Sequence, residues 1–291
     1  MKIMYSPFKY GAPRFLVRFM VAFSWPLIIA AKKFSSYPIL RFIINPFFKR
    51  PYNEVTSIPI NVNLELPASV PLPRTVLMRL VSEIDQKFIL DTCICRHHNR
   101  VSSPPPGIGC MVLGPAIRRM HPSHGRNVST AEALAHIERA SAAGLIANVA
   151  HVWIDPVSFW TTFRDLMFIC FCDDTNCLYR THMKKRGPNL DRAYKRLPGI
   201  SFSADADICN GCGICLNACF VNAIEMKNGK ASITDDCKGC GRCTEVCPEK
   251  AVVMTLDNQE ELFLQLASRV NSVADIPELK KYKKQQNNMS G

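Results

Sequence analysis

The sequence predicts an α+β protein: a compact cysteine-rich module near the C-terminus, preceded by a basic apolar segment and a mixed, helix-containing middle domain rich in cysteine and histidine. Three observations lead there. Residues 207–255 hold one cysteine spacing twice, each copy followed by a short β-like run. Residues 77–88 and 129–145 repeat apolar side chains at helical spacing. The first fifty residues carry nine Lys or Arg, many aromatic rings and no acid, the first acid being Glu54.

Residues 1–50 read as a membrane-associating or docking segment. Their longest uncharged run, Phe19 to Ala31, is thirteen residues long and interrupted by Pro26. That is short of the roughly 20 residues that span a bilayer, so an in-plane anchor is expected: aromatic rings at headgroup depth, cations attracted to anionic lipid. Packing on a membrane subunit is the alternative. Residues 51–75 contain Pro51, Pro59, Pro67, Pro71 and Pro73 and read as an extended connector, with an edge strand around Ile58 to Leu66. The Cys/His-rich domain, residues 76–182, opens with Leu77, Leu80, Val81, Ile84 and Phe88 as one helical face. Its second helix starts at a Ser129/Glu132 capping box, presents Leu134, Ile137 and Leu145, and stops at Gly144. A basic linker follows over 183–200. The cysteine module takes 201–256, and Asn258 and Glu261 open a last helix whose face carries Leu262, Leu266 and Val270. The Lys/Gln/Asn-rich end reads as a disordered tail.

Eight of the 14 cysteines form the repeated C-x2-C-x2-C-x3-C pattern: Cys209, Cys212, Cys215 and Cys219, then Cys237, Cys240, Cys243 and Cys247. In two-cluster proteins the fourth cysteine of each run ligates the other cluster. One [4Fe-4S] cluster is therefore expected on Cys209, Cys212, Cys215 and Cys247, and a second on Cys237, Cys240, Cys243 and Cys219. Glycines at 211, 213, 239 and 241 let the backbone wrap tightly around such a group. Zinc sites use two cysteine pairs per metal and do not interleave in this way. Asn228-Gly229 between Ile224-Glu-Met and Ala231-Ser-Ile marks a hairpin. Pro248 closes the second run, whereas Phe220 stands at the matching place in the first. These roughly 50 of 291 residues resemble the bacterial-type 2[4Fe-4S] ferredoxins, and the resemblance implies a low-potential carrier of single electrons.

The other six cysteines are Cys93, Cys95, Cys110, Cys170, Cys172 and Cys177, and all seven histidines lie between His97 and His182. Thiolates in such a group suit a third Fe-S cluster or a metal ion; buried free thiols are the alternative. Each histidine (His97, His98, His121, His124, His136, His151, His182) reads as structural. Arg96 either steadies a negative cluster or lies solvated. The order Cys93-Ile-Cys95-Arg96, Gly109-Cys110-Met-Val-Leu-Gly114, Ser129-Thr-Ala-Glu-Ala133, Ala143-Gly-Leu-Ile146 is similar to prokaryotic iron-sulfur proteins in which a Cys-rich domain precedes a dicluster ferredoxin. Those proteins have a denser cysteine run where this chain reads Ile169-Cys-Phe-Cys-Asp-Asp-Thr-Asn-Cys177. The resemblance implies no particular reaction.

No haem-attachment CxxCH, dinucleotide fingerprint, P-loop or GxSxG elbow occurs. The sequence thus points to an electron-transfer component of an oxidoreductase system, working with redox partner proteins, on the inner face of the cell membrane. The alternative is a redox enzyme with a catalytic metal or third cluster in the middle domain; catalytic residues are not identifiable. The net charge of +12 does not argue for nucleic acid, because the N-terminal cations alternate with large apolar side chains instead of forming a polar reading face.

Overall fold

The computed structural model describes residues 9–61 and 73–282. Its centre is a seven-stranded sheet of order β4-β2-β3-β6-β5-β1-β7. The strands are β1 (Asn53–Ile58), β2 (Lys87–Leu90), β3 (Met111–Leu113), β4 (Gly125–Asn127), β5 (Ile146–Val152), β6 (Met167–Cys172) and β7 (Tyr194–Lys195). Every pairing is antiparallel except β1 with β7. Successive side chains on a strand point to opposite faces, and both faces here are covered.

On one face, Met111, Leu113, Ala147, Val149, Ile169 and Phe171 meet the apolar sides of α3 (Pro73–Glu83), α5 (Thr130–Ala142) and α10 (Gln259–Val273) in a single core. The opposite face takes Cys110, Val112, Ala150, Val152, Phe168, Cys170 and Cys172. It lies under α1 (Arg14–Phe34), α4 (Ile94–His98) and α6 (Ile154–Phe159). Along β6 the alternation therefore sends Met167, Ile169 and Phe171 one way and Phe168, Cys170 and Cys172 the other. A Cys-x-Cys in a strand places both thiols on one side.

The N-terminal segment is a continuous 21-residue helix that runs through Pro26, longer than the uncharged run Phe19 to Ala31. It is long and apolar enough to cross a bilayer by length and composition, though 11% of its most apolar window is buried inside the protein. Val21, Ser24, Trp25 and Ile28 face the sheet. Phe15, Phe19, Phe23 and Leu27, four residues apart, are 73, 69, 71 and 60% exposed. After α1 come a short α2 (Arg41–Ile44) and a 3-10 turn over Asn45–Phe48.

Several expectations are corrected. Residues 53–58, assigned to an extended connector with an edge strand beginning at Ile58, form an interior strand between β5 and β7; five prolines nearby masked six ladder-forming residues that contain none. The remainder of that proposed strand, 62–66, falls outside the described residues. Phe88 does not continue the face of Leu77, Leu80, Val81 and Ile84: α3 ends at Glu83, and Phe88 lies on β2 toward the opposite core. The basic linker 183–200 holds structure of its own, α7 (Pro188–Ala193) and β7. Arg186 and Lys238 both pair with Asp191 there. The tail from 283 onward lies outside the described residues.

The start and stop signals of the helices hold, but Leu145 is not on the second helix: α5 ends at Ala142, and Leu145 follows Gly144 just before β5. Ser129 and Glu132 form the capping box, α5 ends before Gly144 at φ +70°, and Asn258 caps α10 by accepting from the Glu260 N–H at 2.8 Å. The cysteine module pairs β8 (Ile200–Ala204) with β11 (Val252–Leu256), and β9 (Ile224–Lys227) with β10 (Lys230–Ile233). Asn228 and Gly229, at φ +51° and +75°, turn the β9–β10 hairpin. The short helices α8 (Ile214–Ala218) and α9 (Arg242–Val246) occupy equivalent places in the two repeats and pack together. The module is not at the very end of the chain, because α10 and a 3-10 turn over Pro277–Tyr282 follow it.

Two candidate metal centres

In the C-terminal module, Cys209, Cys212 and Cys215 line one pocket together with Cys247 from the second run. The thiols acting on Cys215 are Cys247, Cys209 and Cys212, and those acting on Cys243 are Cys240, Cys237 and Cys219. The crossing arises locally. Three cysteines of each run lie on the loop and first turn of α8 or α9, and the fourth sits at the C-cap, carried by the helix toward the other set. Main-chain amides already aim at sulfur: Ala223 N–H donates to Cys219 Sγ at 3.2 Å and Gly239 N–H to Cys237 Sγ at 3.4 Å. The Cys209 thiol is held below its ordinary pKa by the N–H groups of Ala231 and Gly211. Burial pushes Cys215, Cys237 and Cys243 up, so as free thiols they resist ionising and would need a metal to stabilise their thiolates.

Among the described residues no three His, Cys, Asp or Glu side chains close around a single-ion position. This applies to both ferredoxin-type sets, although each gathers four thiols. The donor chemistry, the aimed amides and the spacing all suit [4Fe-4S].

A family model described as a 4Fe-4S dicluster domain matches residues 208–251. Neither the curated proteins nor the solved structures contain a match to this chain. A 4Fe-4S dicluster domain is thus present, and with it iron-sulfur cluster binding and the chemistry of electron transfer. The match does not extend to the similarity noted over residues 93–146.

The six remaining cysteines line a single chamber between the sheet and α1. Their side chains form an unbroken series of contacts, Cys170–Cys110–Cys93–Cys95–Cys177–Cys172. Cys170 and Cys172 come from β6, Cys110 from the residue before β3, Cys93 and Cys95 from the N-cap and first turn of α4, and Cys177 from the loop after β6. Cys93 is held well below the ordinary thiol range by hydrogen bonds with Cys110 and Cys95. Cys177 is also held down despite its burial, by Cys172, Cys95 and the N–H groups of Tyr179 and Arg180. Contacts with Cys177 and Cys93 raise Cys95, those with Cys170 and Cys93 raise Cys110, and burial raises Cys172. For Cys170 the Cys110 hydrogen bond is the largest influence and works downward, but burial together with the charges of Asp155, Cys177 and Cys93 pushes it up to about 11.

Sequence reasoning named these cysteines but missed what surrounds them. Arg96 is not solvated: it is 1% exposed and donates to the Phe171 and Ile108 carbonyls at 2.9 and 2.5 Å. Lys32 of α1 is buried near Cys177 and Cys95 and donates to the Leu178 carbonyl at 2.7 Å and to that of Thr181. Burial pushes its pKa down to about 7, against the pull of the two thiols. Asp155, accepting from Tyr179 Oη at 2.6 Å, also lines the chamber, and its burial raises its carboxyl to about 7. Strand alternation in Phe168-Ile-Cys170-Phe-Cys172 was the available signal; nothing local announces α1 as the cover.

No histidine lines the chamber. The ring nitrogens of His124, His136 and His151 donate to the carbonyls of Ala12, Gly109 and Leu166 at 2.8, 2.8 and 2.9 Å. His121 accepts from Ser123 N–H at 3.1 Å, and the His98 ring packs on Trp25 at 4.5 Å between centroids. His97 and His98 border a neighbouring pocket, and His182 adopts φ +58°.

Gly211 and Gly229 have nearly equal φ, +79° and +75°, but a Cβ on Gly211 would lie 2.3 Å from the Gly229 carbonyl oxygen, whereas one on Gly229 meets nothing within 4 Å. Both alanine variants carry left-handed strain, roughly 1 kcal/mol. Gly211→Ala adds a main-chain clash, so in anaerobic thermal unfolding it is expected to fall below Gly229→Ala by a further 1–2 kcal/mol, on the order of a small overpacking defect. Equal losses in the two variants would contradict this packing.

Proposed function

We propose that this protein is an iron-sulfur electron carrier that relays single electrons between redox partner proteins through two [4Fe-4S] clusters, on the cytoplasmic face of the membrane. The observation that carries the reading is the crossed pair of cysteine tetrads, Cys209/Cys212/Cys215/Cys247 and Cys237/Cys240/Cys243/Cys219, within residues that match a dicluster domain. When bound, the clusters supply reversible one-electron chemistry. The chain's part is to hold the thiolates, aim amides at them and set the charge around each. Among the described residues, Arg180 is a buried cation set against the second tetrad: 0% exposed, it places Nη2 3.9 Å from Cys240 Sγ. A fixed positive charge favours the reduced, more negative state.

The membrane part rests on α1 and the short helical segment after it. Phe15, Phe19, Phe23 and Leu27 form an exposed apolar stripe, extended by Ile39, Phe42, Ile43 and Phe47, and the exposed cations Arg18, Lys33, Arg41 and Lys49 accompany it. The inward stripe of the same helix is packed on the protein, with Val17 and Lys32 buried. A helix committed to the protein along one side and apolar along the other suits lying in the interface, where cations near anionic lipid contribute about 1 kcal/mol each.

Two measurements test these parts separately. An anaerobic redox titration is expected to bleach the visible absorption reversibly in one-electron steps. In Arg180→Met one of the two potentials should fall, on the order of tens of millivolts, while Arg180→Lys stays near wild type; shifts in both potentials, or in neither, would count against the placement of this charge. In vesicle flotation the wild type should rise with phosphatidylglycerol-containing liposomes at low salt. Phe19→Asp/Phe23→Asp should bind at least about a hundredfold more weakly, since each buried phenyl contributes roughly 1.5–3 kcal/mol. A wild type that stays at the bottom of the gradient would remove the membrane from the proposal.

A further inference from the structure

We infer that the chamber formed by Cys93, Cys95, Cys110, Cys170, Cys172 and Cys177 is a third redox centre, a polynuclear iron-sulfur cluster electronically adjacent to the one held by Cys240. For its metal the inference rests on the iron-sulfur reading of residues 208–251; it does not depend on membrane binding.

Three features separate this chamber from a set of buried apolar thiols. The first is convergence. Six thiols from β6, α4, the residue before β3 and the loop after β6 meet in one unbroken series of contacts, though isolated core cysteines have no reason to seek one another. Six thiols in one chamber exceed the four ligands that a single zinc takes, so the arrangement suits several metals sharing thiolates.

The second feature is charge. Arg96, 1% exposed, lines the chamber; its Nε finds no acceptor among the described residues, and the nearest carboxylate, Asp173, is 3.8 Å away. Lys32, 2% exposed, is satisfied by main-chain carbonyls only. Buried cations without a full counter-charge are costly. The thiols of Cys177 and Cys95 already pull on Lys32, and a thiolate-ligated cluster would supply that offset with its ligands held ionised by the metal.

The third is connection. Cys177 accepts from the N–H groups of Tyr179 and Arg180, and the Arg180 guanidinium reaches Cys240 Sγ at 3.9 Å. One four-residue stretch, 177–180, therefore touches both thiol sets. Transfer between them moves a single electron: the ferredoxin cluster is oxidised by one, the third centre is reduced by one, and no bond or proton need change. Such a centre gives the carrier an internal terminus, closed over by α1 through Val21, Ser24, Trp25 and Ile28.

The test is anaerobic iron, zinc and acid-labile sulfide content, with Mössbauer spectra, of the full chain beside Cys93→Ser/Cys95→Ser and, as a variant that buries no new hydroxyl, Cys110→Ala. About twelve irons in the wild type, with a third set of cluster parameters, falling to about eight in either variant while the reduced ferredoxin signals persist, is the expected result. Eight irons in the wild type overturns the inference whatever the variants do, with or without zinc in the chamber. Twelve irons unchanged in both variants overturns the assignment to these cysteines. A wild type without iron or sulfide refutes the carrier reading itself and so is distinguishable from failure of the third centre alone.

Discussion

The buried guanidinium of Arg180 ties the loop after β6 to the ferredoxin-type module. Arg180 has no exposed side-chain surface, stacks on Phe220 with its guanidinium carbon 4.3 Å from the ring centroid, pairs with Asp174 at 2.6 Å and reaches Cys240 Sγ at 3.9 Å. Burial works against its charge, and Cys240 and Asp174 hold it in place. Asp174 is shared with Arg242 of α9 at 2.7 Å, and Arg242 in turn pairs with Glu245. The loop that follows β6 is thereby tied to the helix of the second cysteine run. Removing one partner from such a network leaves a buried charge uncompensated, which costs about 3–5 kcal/mol. Position and charge are coupled here: the group that docks the ferredoxin-type module on the sheet also sets the field at one of its tetrads.

The sheet performs the complementary task. Its alternation collects Cys110, Cys170 and Cys172 on the face under α1 and leaves Ile169 and Phe171 for the core with α3, α5 and α10. α1 then serves two surroundings at once. Its inner stripe closes the thiol chamber, while its outer stripe remains apolar and exposed. Buried Lys32, held by two carbonyls of the 178–181 segment, fixes the end of that helix beside the same loop that carries Cys177 and Arg180.

The C-terminal module was readable because its information is local. Ligand spacing, positive-φ glycines and the Asn228-Gly229 turn all act within a dozen residues, and the proposed crossing of Cys219 and Cys247 rests on the same repeat. The Ser129/Glu132 box and Gly144 were readable for the same reason. The seven-stranded sheet was not, because β3 and β4 have three residues each and β7 two, too few to show a period. β1 was hidden among prolines, and Phe88 happened to fall in phase with the helix before it. The chamber's six cysteines were visible one by one, yet their meeting depends on pairings such as Asn148 with Cys170 and Met111 with Ile169, distant in sequence. Arg96 shows the limit plainly: nothing around it in the chain distinguishes a surface arginine from one that is 1% exposed.

The central claim is that each run of cysteines completes the other's tetrad. It is tested most directly by electron paramagnetic resonance of the reduced protein carrying Cys212→Ser, Cys243→Ser or Cys247→Ser, under anaerobic conditions. Crossed tetrads predict that Cys247→Ser alters the same cluster signal as Cys212→Ser and leaves the one altered by Cys243→Ser. If Cys247→Ser instead perturbs the signal that Cys243→Ser perturbs, each run binds its own metal and the account is wrong.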